Sequence, residues 1–342
     1  MTVDLTPYLG AVPDLVVERV RDARRVLAVS HENPDADTLG ATLGIVALVE
    51  AMGGVADAVC TDPVPALYDF IAGVERFRTD PDPSADYDLV VISDCGSLER
   101  VGAVGVRHAE LFARLPRVVI DHHASNDSAG DADWIEPHSA ATCEMVALLA
   151  ARLGVGFDGE RGRALVDALM AGIVMDTATF AHPNATPRTL TVSAALVEAG
   201  APLSDISRRL YRSKPTAQLQ LFGRVLDRLE TADGGRVVFS TLRDADLAAT
   251  GTVSSHSEGI IDLLAQAVEA EVAILFKEAE GGKATRVSVR TKPGGVDATV
   301  LTGAFGGGGH ARAAGASVPL PVDQARPVVL VEATRLAAAV IR

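Results

Sequence analysis

The sequence is poor in cysteine and in aromatic residues: of 342 residues, three are Cys and 4% are Phe, Trp or Tyr. The three thiols, Cys60, Cys95 and Cys143, are widely separated, whereas disulfide frameworks and zinc cages need paired or closely spaced cysteines. We therefore expect reduced thiols. Cys95 lies beside a candidate site, where we expect it to be a packed small residue rather than a ligand.

The sequence also lacks a long apolar run and a basic N-terminal segment. No stretch approaches the roughly 20 apolar residues that span a bilayer. The first 20 residues carry Asp4, Asp14 and Glu18 and have no basic segment followed by an apolar block, so no secretory signal is evident. These absences predict a protein without membrane attachment, located in the cytoplasm.

Positive charge is scarce as well, since 31 Lys and Arg against 45 Asp and Glu give a formal net charge of −14. A protein that tracks long nucleic acid needs a basic surface, because its affinity comes from released counterions. Long nucleic acid is therefore not an expected partner, but a small phosphorylated ligand remains compatible. Carboxylates gathered around metal ions add to an acidic count while making the site itself cationic.

The length predicts two domains, because a single core stops growing at about 250–300 residues. Apolar runs at 24–30, 88–93 and 117–120 predict strands, and the helical periodicity between them predicts an α/β fold with a parallel sheet. The expected divisions are an N-terminal parallel-sheet domain (1–195), a helical linker (196–215) and a smaller α/β C-terminal domain (216–342).

Polar side chains with metal-binding atoms follow each of the three predicted strands. The set comprises His31, Asp35 and Asp37 after the first strand, Asp94 after the second, and Asp121, His122 and His123 after the third. Asp176 follows an apolar helical segment, where an unpaired carboxylate is costly. Because the carboxyl ends of parallel strands meet at one edge, ligands bind there and we expect these side chains to converge. Gly96 is expected to permit the sharp turn that leaves Asp94 at the strand tip.

Each of these residues also has a structural explanation. An Asp after a strand often caps the next helix, and adjacent histidines can be incidental surface residues. Asp176 can be satisfied locally by hydrogen bonds from Thr177 or Thr179. A single helix cap does not account for three polar residues in the loop that begins at His31, so we favour a metal-binding role.

The set offers oxygen and imidazole ligands without a thiolate, which suits Mn²⁺ or Mg²⁺ better than structural zinc, and the histidines favour Mn²⁺. Four carboxylates and two or three imidazoles are too many for one ion, so we expect two ions bridged by a carboxylate and a water. Such a pair makes a hydroxide nucleophile near neutral pH and neutralises phosphoryl oxygens. The predicted chemistry is phosphoester hydrolysis.

The second half of the chain has a different pattern. Helices are predicted at 217–230, 257–269, 297–304 and 324–342, and strands at 236–241, 273–276 and 285–291. The four glycines at 306–309 can be a flexible turn, but their backbone N–H groups can also form an anion-binding nest beside His310. Arg290, near the end of a predicted strand, is a plausible bidentate partner for a phosphate.

Five motifs, taken in order, resemble those of the DHH phosphoesterase superfamily with its DHH-associated C-terminal domain. They are His31-Glu32-Asn33-Pro34-Asp35-Ala36-Asp37, Ser93-Asp94, Asp121-His122-His123, Asp176 and Gly306-Gly307-Gly308-Gly309-His310. The sequence is most similar to the oligoribonuclease (nanoRNase) and pAp-phosphatase group, whose actinobacterial members also act on cyclic dinucleotides. The resemblance implies a homodimeric, Mn²⁺-dependent hydrolase of nanoRNA, linear dinucleotides such as pApA, cyclic di-AMP and pAp.

The resemblance also implies a role for each site residue. One Mn²⁺ would be held by His31, Asp35 and Asp94, and the other by Asp37, Asp94, His122 and Asp176. His123 would contact the scissile phosphate, and Asp121 would orient an imidazole. The remainder of the substrate would be bound by Arg290, Gly307, Gly308, Gly309 and His310. Many relatives have Lys-Asn after this histidine, so we expect Arg312 to reshape the subsite.

Three other functions share parts of this pattern. A family II inorganic pyrophosphatase has the same metal motifs but lacks the glycine-rich ending with its histidine. An exonuclease of the RecJ type would need a basic groove for long single strands. A non-catalytic nucleotide-sensing module would have a dead site, whereas every expected metal ligand is present here. We therefore favour an active enzyme for short nucleotides.

Overall fold

The computed structural model describes residues 3–126, 130–157 and 159–340, which divide into two compact units with the division after Ser213. The strands described in the first unit are β1 (Arg25–Val29), β2 (Val55–Val59), β3 (Leu89–Ser93), β4 (Arg117–Asp121) and β5 (Ala132–Ile135). Its described α-helices are α1 (Asp14–Asp22), α2 (Ala36–Ala51), α3 (Ala103–Arg107), α4 (Ala109–Arg114), α5 (Thr142–Arg152), α6 (Gly159–Asp176), α7 (Pro187–Glu198) and α8 (Leu203–Tyr211).

The strands of the first unit form one parallel sheet in the order β2-β1-β3-β4-β5. Side chains alternate between the two faces of a strand. Val26 and Ala28 of β1 therefore face the core built with α2, α5 and α6, whereas Leu27 and Val29 face the core built with α3 and α4. Helices cover both faces of the sheet, and the predicted parallel α/β fold is confirmed.

Of the predicted linker (196–215), residues 196–213 belong to the first compact unit. Ile206 and Leu210 of α8 are buried in its main hydrophobic core. The hydroxyl of Tyr211 donates a hydrogen bond to the carbonyl of Met175, at 2.6 Å. Helix α8 is thereby attached to the C-terminal turn of α6, one residue before Asp176.

The second unit is a six-stranded mixed sheet in the order β10-β11-β9-β8-β7-β6. Its strands are β6 (Glu230–Ala232), β7 (Val237–Leu242), β8 (Val272–Ala279), β9 (Ala284–Thr291), β10 (Gly308–His310) and β11 (Ala313–Val318). Its α-helices are α9 (Thr216–Leu226), α10 (Asp244–Thr250), α11 (Ile260–Leu264), α12 (Ala298–Gly303) and α13 (Val322–Ala339). Helices α12 and α13 cover one face, and α9 and α11 pack against part of the other.

Two helices of the second half are shorter than the sequence analysis predicts. The helix expected at 257–269 is α-helical only from Ile260 to Leu264, because Gly259 takes a left-handed conformation (φ 88°) before it and a turn from Ala267 to Ala270 follows it. The helix expected to reach Glu230 ends at Leu226, and Glu230 instead begins strand β6. Within the described ranges, none of the helices combines the length and apolarity of a membrane span.

Candidate active site

The carboxyl ends of three neighbouring strands form the base of the candidate site. Strands β1, β3 and β4 lie side by side in the sheet. His31 lies two residues beyond β1, Asp94 directly follows β3, and His122 directly follows β4. The sequence therefore brings one ligand-bearing loop from each strand to the same edge.

The first group of potential ligand atoms is centred on His31. Its Nε2 lies 3.6 Å from Oδ2 of Asp94 and 4.0 Å from Oδ1 of Asp35. Asp35 is also the N-cap of α2, since its Oδ1 accepts hydrogen bonds from the backbone N–H groups of Asp37 and Thr38. The structural explanation is thus correct for Asp35, but the cap leaves this residue beside the other two.

The second group is centred on His122. Its Nε2 lies 3.2 Å from Oδ2 of Asp176, 3.5 Å from Oδ1 of Asp94 and 4.0 Å from Oδ2 of Asp37. In each of the groups His31–Asp35–Asp94 and Asp37–His122–Asp176, the potential ligand atoms lie within 4.8 Å of one another. Asp94 contributes to the first group and contacts the second, so its carboxylate lies between them.

Asp37 is completely buried and is held by the start of another helix. Its two carboxylate oxygens accept hydrogen bonds from the backbone N–H groups of Thr142 (2.7 Å) and Cys143 (2.9 Å), at the N-terminus of α5. Gly172 of α6 makes the approach possible, because a Cβ there would lie 2.5 Å from Oδ1 of Asp37. Burial raises the pKa of the Asp37 carboxyl above its usual value.

The chemistry of this cluster fits a cation. The Nδ1 atoms of His31 and His122 face the backbone carbonyls of Glu32 (2.6 Å) and Ser139 (3.4 Å). Because a carbonyl only accepts, each Nδ1 carries a proton, and each Nε2 faces carboxylate oxygens at a position that a second proton or a metal ion can occupy. Facing lone pairs repel one another unless a positive charge lies between them. Oxygen and imidazole donors of this kind suit Mn²⁺ or Mg²⁺.

The protonation equilibria indicate the same preference for positive charge. Burial and the nearby Asp37 raise the pKa of Asp176 to about 7. Burial and the same neighbour raise the pKa of Asp94 well above its usual value. Burial alone would lower the pKa of His122, but its hydrogen bond to Asp176 and the surrounding carboxylates raise it to about 9. The positive groups of the protein therefore do not fully compensate the negative charge of the buried carboxylates.

His123 is arranged differently from the other two histidines. Its Nδ1 lies 2.7 Å from Oδ1 of the fully buried Asp121, and about a third of its side chain is exposed. Burial favours a higher pKa for Asp121, but hydrogen bonds from His123 and Asn126 bring it below its usual value. Asn126, which the sequence analysis missed, donates to Asp121 and to the carbonyl of Cys95. The imidazole that Asp121 orients is thus the one of His123.

The turn after β3 differs from the sequence expectation, and the structural alternative considered for Asp176 does not hold. The turn after β3 is made by Asp94 itself, which has a left-handed φ of 59°, and not by Gly96. The hydroxyls of Thr177 and Thr179 bond to the carbonyl of Ile173 and the hydroxyl of Ser207, so neither satisfies the Asp176 carboxylate. At position 94, aspartate tolerates a left-handed conformation better than most residues do. The residue that makes the turn is therefore also the candidate metal ligand.

The glycine-rich segment of the second unit forms an edge strand. Strand β10 pairs with β11, and a Cβ at Gly307 would lie only 2.2 Å from the carbonyl oxygen of Gly315. His310 is paired with Ala313, which is paired in turn with Arg290, so the two long side chains leave the same face of the sheet. The Nε of Arg290 donates to Asp262 at 2.9 Å. Arg312 is exposed in the turn between β10 and β11.

A pair of glycine substitutions tests this arrangement. We expect Gly307→Ala to lower the free energy of unfolding by roughly 1–3 kcal/mol, the usual cost of overpacking, because the new methyl group clashes with the backbone of β11. Gly308→Ala is the matched control, since nothing lies within 4 Å of its Cβ position. It should change stability by less than about 0.5 kcal/mol. Urea denaturation of both variants gives the comparison, and equal stabilities would contradict the close approach.

Comparison with known families agrees with this architecture. The model of the DHH family, N-terminal domain, matches residues 25–173, and that of the DHHA1 domain matches residues 234–337, which together exceed half of the chain. The chain belongs to the DHH family of phosphoesterases and is a hydrolase of phosphoester bonds. It is 31% identical to the bifunctional oligoribonuclease and PAP phosphatase NrnA of Thermus thermophilus over 91% of this chain and 89% of that protein.

Further relatives extend the comparison. The NrnA of Bacillus subtilis is 25% identical over 84% of this chain and 87% of that protein. Among solved structures, an exopolyphosphatase-related protein from Bacteroides fragilis has the same fold, with a TM-score of 0.83 and 19% identity, and the match covers 94% of this chain and 95% of that one.

Proposed function

We propose that this protein is a Mn²⁺-dependent phosphodiesterase and phosphatase of short nucleotides. The proposed substrates are nanoRNA, linear dinucleotides such as pApA, pAp, which it converts to AMP, and cyclic di-AMP. The observation that carries the proposal is the pair of ligand groups that adjoin at Asp94. The names of the Thermus and Bacillus relatives, which describe an oligoribonuclease and PAP phosphatase, support the choice of substrates.

The metal ligands are part of the proposal. One ion would be held by His31, Asp35 and Asp94, and the other by Asp37, Asp94, His122 and Asp176. Two such ions, when bound, would lower the pKa of a water and neutralise charge on phosphoryl oxygens. Mn²⁺ is favoured over Mg²⁺ by the two imidazoles.

The side chains of the protein supply binding, orientation and a proton. Asp121 holds Nδ1 of His123, so Nε2 of this partly exposed imidazole is free to face a substrate. Protonated there, it would stabilise a phosphoryl oxygen or give its proton to the leaving oxygen. Arg290, the backbone of Gly307 to Gly309 and the side chain of His310 would bind another phosphate of the substrate.

A substrate panel tests the proposal. Purified protein is incubated with Mn²⁺, Mg²⁺ or no metal, and products are followed over time for pAp, pApA, a pentanucleotide, cyclic di-AMP and pyrophosphate. We expect Mn²⁺-dependent release of AMP from pAp and of mononucleotides from the oligonucleotides. Hydrolysis of pyrophosphate alone would favour a family II-type pyrophosphatase. Nucleotide binding without any hydrolysis would favour a sensing module.

The role of His123 has a separate test. We expect Asp121→Asn to lower kcat by roughly 10- to 100-fold, the usual cost of losing a residue that orients a site imidazole. Binding of Mn²⁺ should be nearly unchanged, because Asp121 bonds to His123 and not to the proposed ligands. Asp133→Asn on the neighbouring strand β5 is the control. A loss of metal equal to the loss of activity would refute this division of roles.

The protein would act in the cytoplasm as a homodimer, on short rather than long nucleic acid. Light scattering coupled to size-exclusion chromatography measures the oligomeric state, and competition by long single-stranded RNA measures the length preference.

A further inference from the structure

The sheet of the second unit carries cationic residues on the same face as Arg290 and His310. Residues 286, 288 and 290 of β9 point to one side, because alternate residues of a strand share a face. Lys277 of β8 is paired with Arg286, and Arg286 is paired with Ser317 of β11. One row of paired residues across the strands thus contains Lys277, Arg286 and Ser317. A second row, which lies two rows away, contains Arg290, Ala313 and His310.

Among the described residues, the cations of the first row have no directly bonded counter-ion. Within residues 3–126, 130–157 and 159–340, the side chains of Lys277 and Arg286 have no hydrogen bond or ion pair, in a chain whose net charge is −14. Arg290, by contrast, is paired with Asp262. Burial and the nearby Arg286 lower the pKa of Lys277, and Arg290 adds to this effect while Glu258 opposes it. An anion bound between Lys277 and Arg286 would therefore stabilise the charged form of the partly buried Lys277.

Small residues separate the two rows. The middle row contains Ser288 of β9, Gly315 of β11 and Gly308 of β10. Ser288 is paired with Gly315, and Gly315 is paired with Gly308. Leu275, the partner of Ser288 on β8, is buried under α9 and α11. The uncovered part of this face is therefore a shallow trough with a floor of small residues. Its two ends lie four residues apart along β9, about 13 Å.

We infer that Lys277 and Arg286 form a second phosphate subsite, which binds the backbone of an oligonucleotide at a phosphate beyond the one held by Arg290 and His310. The inference rests on the proposed function and names the residues that favour longer substrates over single nucleotides. A ligand with one ribose occupies only the Arg290 end of the trough, whereas a chain of three or more nucleotides reaches the Lys277 end.

Charge-removing substitutions test the subsite. The variants are Lys277→Gln, Arg286→Gln and their combination, and Arg335→Gln on α13 is the control with the same loss of charge as each single variant. For each full-length protein we measure kcat/KM on pAp, pApA and penta-adenylate between about 50 and 200 mM KCl. We also measure binding of fluorescein-labelled penta-adenylate without added metal, which does not require turnover.

We expect the double variant to lose about tenfold in kcat/KM and in affinity for penta-adenylate, with less than about twofold change on pAp. The slope of log affinity for penta-adenylate against log KCl concentration should become shallower by about 0.7 for each phosphate that the variant no longer binds. Arg335→Gln should behave as the wild type. Equal losses on pAp and penta-adenylate, or an unchanged salt dependence, would overturn the inference. Weaker binding in the variants together with an inactive wild type would support the subsite and refute the proposed function.

Discussion

Replacing Asp94 by Asn should abolish turnover. The Asp94 carboxylate lies 3.6 Å from His31 and 3.5 Å from His122, and so belongs to both proposed ion sites. Loss of a residue that only supports a metal ligand usually lowers activity by 10- to 100-fold. Loss of a ligand shared by both ions should therefore lower kcat by more than about 100-fold. The measurement is kcat on pAp and on a dinucleotide, together with the Mn²⁺ content of the purified variant.

The control for this substitution is Asp69→Asn, which makes the same chemical change at an exposed position. Thermal unfolding shows whether the Asp94 variant is folded, and an amide there can still accept the hydrogen bond that Thr142 donates to the carboxylate. Full activity in a folded Asp94→Asn protein that retains its metal would exclude the two-ion assignment.

Replacing Arg188 by Ala should have the largest effect on stability. Glu144 is fully buried in α5, and its Oε1 accepts a 2.6 Å hydrogen bond from Nε of Arg188. The same guanidinium donates to the hydroxyl of Ser139, whose carbonyl faces His122. Without Arg188 the buried carboxylate loses its counter-charge, which costs about 3–5 kcal/mol. We expect the melting temperature of the first unit to fall by about 10 °C.

An exposed ion pair of the same type provides the control. Arg152 and Asp14 are 2.8 Å apart on the surface, and Arg152→Ala should cost less than about 1 kcal/mol. Replacing both buried partners, as in Glu144→Leu with Arg188→Met, should recover much of the loss, because no uncompensated charge remains. If Arg188→Ala were as stable as Arg152→Ala, the buried pair would not support the site.

The central strands of the first sheet could be predicted because they are buried on both faces. Such strands are continuous apolar runs, as in Leu89–Ser93, and they stand out in any sequence. The edge strands β2 and β5 carry Asp57 and Asp133 and are partly exposed, so they lack that signal. The polar residues at the tips of the central strands could be predicted with them, since a strand end fixes where its next residues lie.

The supporting contacts could not be predicted, because they join residues that are distant in sequence and unremarkable in composition. Arg188 reaches Glu144 across 44 positions, and the amide of Asn184 reaches the carbonyl of Ala140 across the same separation. Neither pair belongs to a local pattern. The left-handed turn at Asp94 could not be predicted either, because Gly96 lies two residues away and glycine adopts this conformation at a lower energetic cost.

The close approach of Gly172 to Asp37 has a consequence for how variation in this protein should be interpreted. Gly172 carries no functional group and lies on a helix that looks like ordinary core. A methyl group added there would meet Sγ of Cys143 at 2.3 Å and Oδ1 of Asp37 at 2.5 Å, and would displace the carboxylate. A natural change from glycine to alanine, conservative on any substitution scale, would therefore produce the phenotype of an active-site mutation.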